Sequence, residues 1–433
     1  MDKISIVVSC PIDTYSGYGA RSRDFVKSLI LNKKYDVKIL SQRWGNTSFG
    51  FLKDHNEDEL SALILPSLSY KPDVWMQITV PNEFQKVGKY NIGVTAGIET
   101  TICDPTWIQG CNRMDLVLTS SNHSKEVFEK SIFDETDKAG NVLKKISLTT
   151  KVEVLFEGAD ITKYFKKPSS FDLSTINESF CFLVVGTWLQ GDFGHDRKNI
   201  GYTLKAFLET FKNKKDQPAL ILKTGLGTSS YVNADIILRK IDQIRKSVKG
   251  KLPNIYFIDG DLTDEEVNEL YNHSKVKAMI SLTKGEGFGR PLLEFSLTGK
   301  PILASNWSGH IDFLSKDFTQ LVGGQLEKVH KSASLKGMIL EEASWFNPDD
   351  GEVAKWLKDI VKNYKKYSEL SKRQAYKSRT EFSFDAMNEL LNKILLENLP
   401  EFPKQVQLDL SSLPNLQPKQ QGVPTLTLPK FKV

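Results

Sequence analysis

The most informative stretch of this chain is Lys284-Gly-Glu-Gly-Phe-Gly-Arg-Pro-Leu-Leu-Glu-Phe-Ser-Leu-Thr-Gly-Lys-Pro-Ile302. An apolar, β-prone run at 276–282 precedes it, and an apolar-periodic helix is predicted to begin near Pro291, after the glycines. A strand that ends in a glycine loop and feeds a helix is a natural anion site. Free backbone N–H groups point outward at the helix start, and the helix dipole favours negative charge there.

Two carboxylates bracket this turn, with Glu286 in the loop and Glu294 inside the predicted helix. Both would repel a bare phosphate. They suit a ligand that carries phosphate together with many hydroxyl groups, since ionised carboxylates accept hydrogen bonds from hydroxyl donors. The stretch therefore predicts a site for a nucleotide-sugar.

Length and composition indicate an ordinary globular protein of two domains. The chain has 433 residues, of which 40% are hydrophobic and 26% are charged. The net charge of +5 is spread over 58 basic and 53 acidic side chains. That excess is too small to imply nucleic acid as a partner by itself.

We expect a soluble, cytoplasmic protein. The four cysteines are scattered without C-x-x-C spacing, as in proteins whose thiols stay reduced. The N-terminal apolar run is broken by Pro11 and Asp13 and does not resemble a signal peptide. No run approaches the roughly 20 apolar residues of a membrane span.

The first half alternates short β-prone runs with helical patterns. This alternation predicts a doubly wound α/β domain whose ligands bind at the carboxyl ends of the strands. The predicted strands lie at 4–9, 37–40, 74–78, 92–95, 116–119 and 151–156.

Gly17 and Gly19 follow the first predicted strand and have three interpretations. A dinucleotide fingerprint would need a third glycine and an acid after the second strand, and both are missing, which argues against an NAD site. The second interpretation is a flexible turn that opens a helix. The one we favour is a turn whose backbone N–H groups approach a bound anion from the opposite side of a cleft.

Glu99 and His123 follow later strands of the same half. Glu99 either orients an acceptor and assists proton transfer or is a solvated loop acid, and the local sequence does not separate these hypotheses. His123 lies beside serines typical of a helix N-cap, which favours a capping or surface role over that of a catalytic base.

The second half repeats the α/β alternation, and here the residues resemble a known family. Glu286 and Glu294 form an E-x7-E motif, followed by Gly299-Lys-Pro301. This block resembles the retaining glycosyltransferases of family four (glycosyl transferases group 1). Weaker matches in the same order lie at 105–107, 120–128, 152–160, 197–199 and 260–266. The resemblance covers residues 1 to about 395 and implies the GT-B architecture, with two facing Rossmann-like domains.

The resemblance also implies roles for individual residues. Glu294 would bind the ribose hydroxyls of a nucleotide. Lys198 would neutralise the diphosphate, a role that agrees with the negative charge gained by a leaving nucleotide at the transition state. The residues that would hold the donor sugar and its phosphate are Glu286, Gly287, Phe288, Gly289 and Arg290.

Two departures from the family pattern bear on the chemistry. An arginine often follows the glycine at Gly186, where this chain has Thr187, and Arg197 either supplies the missing charge or faces solvent. A histidine is frequent in the catalytic loop of the first domain, where this chain has Glu99. The acceptor-side chemistry therefore stays open.

No metal is expected, and no cofactor beyond the NDP-sugar donor. Asp259-Gly-Asp261 resembles the D-x-D metal motif of the other major glycosyltransferase fold. It leads, however, into Thr263-Asp-Glu-Glu266, a capping box that starts a helix. The histidines show no H-x-x-x-H spacing that would indicate zinc.

Four segments are expected along the chain. They are an acceptor-side Rossmann-like domain at 1–170, a nucleotide-sugar-binding Rossmann-like domain at 178–375, a helix at 376–398 that returns to brace the first domain, and a Pro-rich tail at 399–433. The tail cannot build a core. It is expected to be extended, either lying on a surface or binding a partner.

These observations predict a retaining, metal-independent glycosyltransferase that moves a sugar from an NDP-sugar to an acceptor. The acceptor stays open between a glycan, a protein and a DNA base. One alternative is an NAD-linked enzyme that modifies nucleotide-sugars, which would need the complete glycine fingerprint. The other is a non-catalytic binding protein of the same fold, against which the pair Glu286 and Glu294 argues.

Overall fold

Two six-stranded parallel sheets form the framework of the protein, whose computed structural model describes residues 3–227 and 230–402. The strands of the first half are β1 (Ile4–Cys10), β2 (Tyr35–Ser41), β3 (Val74–Ile78), β4 (Tyr90–Thr95), β5 (Leu116–Thr119), β6 (Phe133–Thr136), β7 (Val142–Ile146) and β8 (Val152–Val154). Those of the second half are β9 (Cys181–Val185), β10 (Ala219–Lys223), β11 (Ile255–Ile258), β12 (Val276–Ser281), β13 (Ile302–Ser305), β14 (Gln320–Val322), β15 (Gly324–Lys328) and β16 (Ser344–Pro348).

Helices connect the strands in the manner of doubly wound folds. Those of the first half are α1 (Gly17–Leu31), α2 (Phe51–Asp54), α3 (Asp58–Ser61), α4 (Pro105–Cys111) and α5 (Asn122–Lys130). Those that follow are α6 (Ile200–Phe211), α7 (Tyr231–Ser247), α8 (Asp264–Asn272), α9 (Arg290–Ser296), α10 (Asp350–Lys362), α11 (Tyr364–Glu381) and α12 (Phe384–Asn398).

The two sheets have corresponding strand orders. The first sheet has the order β2-β1-β3-β4-β5-β8, and the second has β11-β10-β9-β12-β13-β14. We call each sheet with its helices the first lobe and the second lobe. In each lobe the order reverses beside the first strand, β1 or β9, and ligands of such sheets bind at the carboxyl ends of the strands at that point.

Burial on both faces explains why apolar runs predicted the strands. In β9 and β10 every residue but the last is buried, as expected for central strands covered by helices on both sides. Fully burying one such side chain contributes about 1.5–3 kcal/mol. The predicted doubly wound α/β class is confirmed by both sheets.

Helix α12 ties the end of the described chain to the first lobe. Ser28 Oγ in α1 donates a hydrogen bond of 2.6 Å to Asn388 Oδ1 in α12. Phe384 N–H donates to Ala159 O at 2.8 Å, which fixes the start of α12 beside the segment after β8. The expected bracing helix is therefore present as α12 (Phe384–Asn398). The domain boundaries proposed from the sequence stay predictions.

The hairpin of β15 and β16 was not predicted. It belongs to the second lobe by sequence but reaches the first lobe, where Thr101 N–H donates to Ser344 O at 2.9 Å. We call the segment from β15 to β16, residues 324–348, the excursion. In the same segment, Gly337 O accepts a hydrogen bond from Trp107 Nε1, also at 2.9 Å. The excursion thus contacts the loop after β4 and the helix α4 that follows it.

Two further expectations concern membrane spans and the C-terminal tail. Within the part that the structure describes, no helix is both long and apolar enough to cross a membrane. The Pro-rich tail predicted for 399–433 lies outside the described residues from 403 onward.

Candidate active site

The glycine loop after β12 packs directly on the loop after β4 of the first lobe. A Cβ atom on Gly285 would lie 2.1 Å from Glu99 O, and one on Gly287 would lie 2.5 Å from Ala96 O. Neither distance is compatible with a side chain, because real Cβ atoms essentially never approach backbone so closely. These glycines therefore bring the two lobes together at Glu286, which lies between them in sequence.

Glu286 is the centre of a cluster of charges. Its Oε1 accepts a hydrogen bond of 2.6 Å from Lys198 Nζ, and its Oε2 lies 3.5 Å from Arg197 Nη1. Its backbone N–H donates to Ser308 Oγ at 2.9 Å. Burial opposes ionisation of this carboxyl, but the charges of Lys198 and Arg197 outweigh it and lower the pKa of Glu286 to about 2. Glu286 is therefore an anion at any physiological pH.

Arg197 joins the two lobes. Its Nη1 lies 3.3 Å from Glu99 Oε1 in the first lobe and donates a hydrogen bond of 2.9 Å to Gly285 O in the second. Burial disfavours the charge, but Glu99 and Glu286 raise the pKa of Arg197 above its ordinary value. Arg197 therefore does not face solvent. Glu99 is its ion-pair partner, with 23% of its side chain exposed, and not a solvated loop acid.

A cavity of about 290 Å³ opens at the carboxyl ends of β9, β10 and β11 in the second lobe. It is lined by Tyr15, Val185, Gly186, Thr187, Lys223, Thr224, Gly225, Gly227, Asp259, Gly260, Asp261, Leu262, Val267, Leu270 and Tyr271. Thr187, which stands where the family often has arginine, is part of its wall.

Lys198 lies between this cavity and Glu286. Its Cδ would be 3.6 Å from a Cβ atom built on Gly186, which lines the cavity, while its Nζ holds Glu286 at 2.6 Å. Burial lowers the pKa of Lys198 because the charged ammonium loses water. A ligand that extends from the cavity to Glu286 would therefore pass a partly desolvated cation.

Glu294 is held by Arg290, four residues earlier in α9. Arg290 Nε donates to Glu294 Oε1 at 2.7 Å, and only 8% of the Glu294 side chain is exposed. Burial raises the pKa of Glu294 to about 7, and the adjacent charge of Arg290 does not overcome that effect. The second Arg290 contact is to Asp24 of the first lobe, whose Oδ2 lies 2.6 Å from Arg290 Nη1.

Phe288 and Gly289 have structural roles in the loop. The Phe288 ring is buried, and its centroid lies 5.0 Å from that of Phe313, so only the backbone of Phe288 is left for a ligand. Gly289 has a φ of 99° and caps the start of α9, a conformation that favours glycine. A Cβ atom there would also lie 2.9 Å from His310 Cβ.

The two glycines after β1 have different environments. A Cβ atom on Gly19 would lie 2.3 Å from Thr14 O, so Gly19 permits a close turn, whereas Gly17 is exposed and has nothing within 4 Å of that position. Between them, the Tyr18 hydroxyl accepts a hydrogen bond of 3.1 Å from Ala96 N–H. Gly17 therefore lies in a segment tied to the same loop on which Gly287 packs.

Several solved structures resemble this chain at low sequence identity. A glycosyltransferase from Rickettsia africae is 13% identical, with a TM-score of 0.61 over 93% of this chain and 100% of its own. Sucrose-phosphate synthase from Thermosynechococcus elongatus is also 13% identical, with a TM-score of 0.61 over 91% of this chain and 99% of its own. Anabaena HepE in complex with UDP-glucose is 13% identical, with a TM-score of 0.60 over 91% of this chain and 100% of its own.

The fold is GT-B. At this identity the likeness concerns the fold, and it confirms the two Rossmann-like sheets expected from the sequence. No family model matches the chain, and no curated protein matches it. In the GT-B frame, the motif loop after β12 and the cavity after β9 to β11 belong to the second lobe, and Glu99 and Gly17 belong to the first.

Sequence reasoning missed Ser308 and His310, which contact the motif loop. Ser308 has φ 74° and ψ −161°, a region that non-glycine residues rarely adopt, and its hydroxyl accepts from Glu286 N–H. His310 is fully buried, and its Nε2 lies 2.6 Å from Ser305 O. Its Nδ1 has no hydrogen-bond partner among the described residues. The positive φ of Ser308 leaves no signal in a sequence, because glycine is the usual residue there.

His123 differs from its sequence interpretation. Ser121 caps α5, and the His123 ring packs edge-on against Trp307 of the second lobe, with 4.6 Å between ring centroids. Burial lowers the pKa of His123 to about 4. The surface or capping role expected for His123 is therefore wrong, and the side chain is a neutral contact between the lobes.

The capping box predicted at the start of α8 is confirmed. Thr263 Oγ1 accepts from Glu266 N–H at 3.2 Å, and Glu266 Oε2 accepts from Thr263 N–H at 2.8 Å. Asp259 and Asp261 of the D-x-D-like segment line the cavity instead. Within residues 3–227 and 230–402, no three His, Cys, Asp or Glu side chains are grouped so that they could hold a metal ion.

Proposed function

We propose that the protein is a metal-independent glycosyltransferase that moves a sugar from an NDP-sugar to an acceptor with retention of configuration. The observation that carries this proposal is the position of Lys198 between the cavity of the second lobe and the carboxylate of Glu286. A diphosphate needs a cation beside it, and a sugar needs acceptors for its hydroxyl groups.

The donor is proposed to lie across the carboxyl ends of the second-lobe strands. Its nucleoside occupies the cavity after β9 to β11, and its ribose hydroxyls bind Glu294, whose second carboxylate oxygen is not engaged by Arg290. The diphosphate lies at Lys198, with Gly17 approaching from the first lobe. The sugar reaches Glu286 and the backbone of the glycine loop.

Lys198 is proposed to act at the transition state. The bond between the anomeric carbon and the diphosphate oxygen breaks, and the bond to the acceptor oxygen forms on the same face. The acceptor proton passes to the departing phosphate oxygen. Because the leaving nucleotide gains negative charge in this step, a partly desolvated ammonium stabilises it more than it stabilises the donor. Such a step needs no separate general base from the protein.

The acceptor is proposed to bind on the side of the first lobe. Glu99 is placed there by Arg197, and the contact of the excursion at 324–348 with the loop after β4 closes the same side. A glycan, a protein and a DNA base remain the acceptor classes. Anabaena HepE binds UDP-glucose, which makes that compound the first donor to try.

A thermal-shift panel of sugar nucleotides tests the proposal. We expect one NDP-sugar, together with its nucleoside diphosphate, to raise the melting temperature, because a ligand bound only to the native state stabilises it. NAD should have no effect. Stabilisation by NAD alone would contradict the proposal and favour a dinucleotide enzyme.

A further inference from the structure

The cavity of the second lobe has one wall that comes from the first lobe. Among the described residues that line it, Tyr15 alone belongs to the first lobe, where it follows β1. The remaining lining residues come from the last residues of β9 and β10, from the segments after β9, β10 and β11, and from α8. No motif in the sequence marks Tyr15.

The Tyr15 ring is held firmly by its neighbours. Its hydroxyl donates a hydrogen bond of 2.7 Å to Asp54 Oδ2, and its backbone N–H donates to Ser48 O at 3.0 Å. The ring of Phe51 meets it edge-on, with 5.1 Å between centroids and an interplanar angle of 63°. A ring fixed in this way loses little conformational entropy when a ligand packs on it.

The other walls of the cavity suit a flat, partly polar group. Leu262, Val267 and Leu270 are aliphatic, whereas Thr187 and Asp261 offer polar groups. Aliphatic side chains and an aromatic ring enclose the faces of a planar ring system, and polar groups at the edge pair with its N–H groups and carbonyls. A nucleobase has this combination of faces and edge.

We propose that Tyr15 stacks on the base of the bound nucleotide and closes the nucleoside pocket from the first lobe. This inference rests on the proposed function and adds a nucleotide-binding residue to it. Because the base is held by the second lobe and Tyr15 by the first, nucleotide binding favours the arrangement in which the lobes are together. Base–aromatic stacking is sequence-tolerant, since every base has a π-face.

The test measures dissociation constants of UDP, GDP, ADP and CDP by calorimetry for the wild type and four variants. We expect Tyr15→Ala to weaken the nucleotide that the wild type binds by about 10-fold, the effect of one lost base–aromatic stack. Tyr15→Phe and Tyr15→Trp keep a ring and should stay close to the wild type. Tyr376→Ala, at a side chain that is 72% exposed, is the control and should change nothing.

Inorganic pyrophosphate separates the base from the phosphates, because it carries two phosphates and no base. The dissociation constant of pyrophosphate should be the same for wild type and Tyr15→Ala. The stacking role is overturned if Tyr15→Ala weakens the binding of pyrophosphate as much as that of nucleotide, or if it binds nucleotide like the wild type. In both cases the proposed function stands. If the wild type binds none of the four nucleotides, the proposed function itself fails.

Discussion

The guanidinium of Arg290 in the second lobe lies 2.6 Å from the carboxylate of Asp24 in the first. The same guanidinium holds Glu294 Oε1 at 2.7 Å. Through Arg290, the carboxylate proposed to bind ribose is connected to the contact between the lobes. Opening of the cleft would therefore change the surroundings of Glu294.

Asp24→Asn removes the charge of this contact and keeps its volume. Both side chains are largely buried, with 18% and 20% exposed, so we expect a loss of about 1–3 kcal/mol in the free energy of unfolding. Chemical denaturation measures it. The matched control is Asp242→Asn, which removes an exposed partner of Lys246 and should cost less than about 0.5 kcal/mol. Equal effects of both variants would contradict the cross-lobe role.

The affinity for the donor should depend on pH through Glu294. Its pKa is raised to about 7 by burial, so the carboxylate gains a proton and loses acceptor capacity as the pH falls through that value. Glu286, with a pKa of about 2, stays ionised. We expect donor binding to weaken as the pH falls from about 8 to about 6. Glu294→Gln should bind more weakly and show no such dependence.

The raised pKa of Glu294 acts on folding stability in the opposite direction: a rise in pH lowers the stability. The folded pKa of Glu294 lies above the ordinary value of 4.5, so its contribution to stability is lost as the pH rises from 4.5 to about 7. A plot of melting temperature against pH over this range should fall more steeply for the wild type than for Glu294→Gln. Parallel curves would show that the burial of Glu294 does not raise its pKa.

Ser308 combines strained backbone with a hydrogen bond to the motif. Ser308→Ala keeps the unfavourable φ of 74° and loses the acceptor for Glu286 N–H, so we expect it to cost about 1–3 kcal/mol of stability. Ser308→Gly also loses the acceptor but relieves the strain, and should therefore be the milder change. Denaturant titration compares them. A glycine variant less stable than the alanine variant would contradict the strain argument.

Local patterns predicted the elements well where both faces of a strand are buried. The bounds of β3 (Val74–Ile78) and β5 (Leu116–Thr119) agree with the predicted runs, because a buried parallel strand reads as an apolar run between turn residues. The glycine loop and the helix after β12 were also predictable, because glycine permits a tight turn and proline suits the first position of a helix.

Contacts between distant parts of the chain could not be read from sequence. Asp24 and Arg290 are 266 positions apart, and no local pattern relates them. The hairpin of β15 and β16 carries exposed, polar residues on β15, so the alternation that indicates a strand is absent. The wall that Tyr15 supplies depends on how the two lobes meet, which is a property of the assembled fold.

The rate of donor hydrolysis in Lys198→Ala tests whether the donor diphosphate lies at Lys198. The assay follows release of nucleoside diphosphate from the NDP-sugar identified by the thermal-shift panel, with Lys246→Ala as control because that lysine is 75% exposed. Glu294→Ala serves as the second site variant. We expect Lys198→Ala to lower turnover by about 100-fold or more, since it removes the cation at the leaving diphosphate, while Lys246→Ala keeps the wild-type rate. Full turnover in both Lys198→Ala and Glu294→Ala would contradict the proposed donor site.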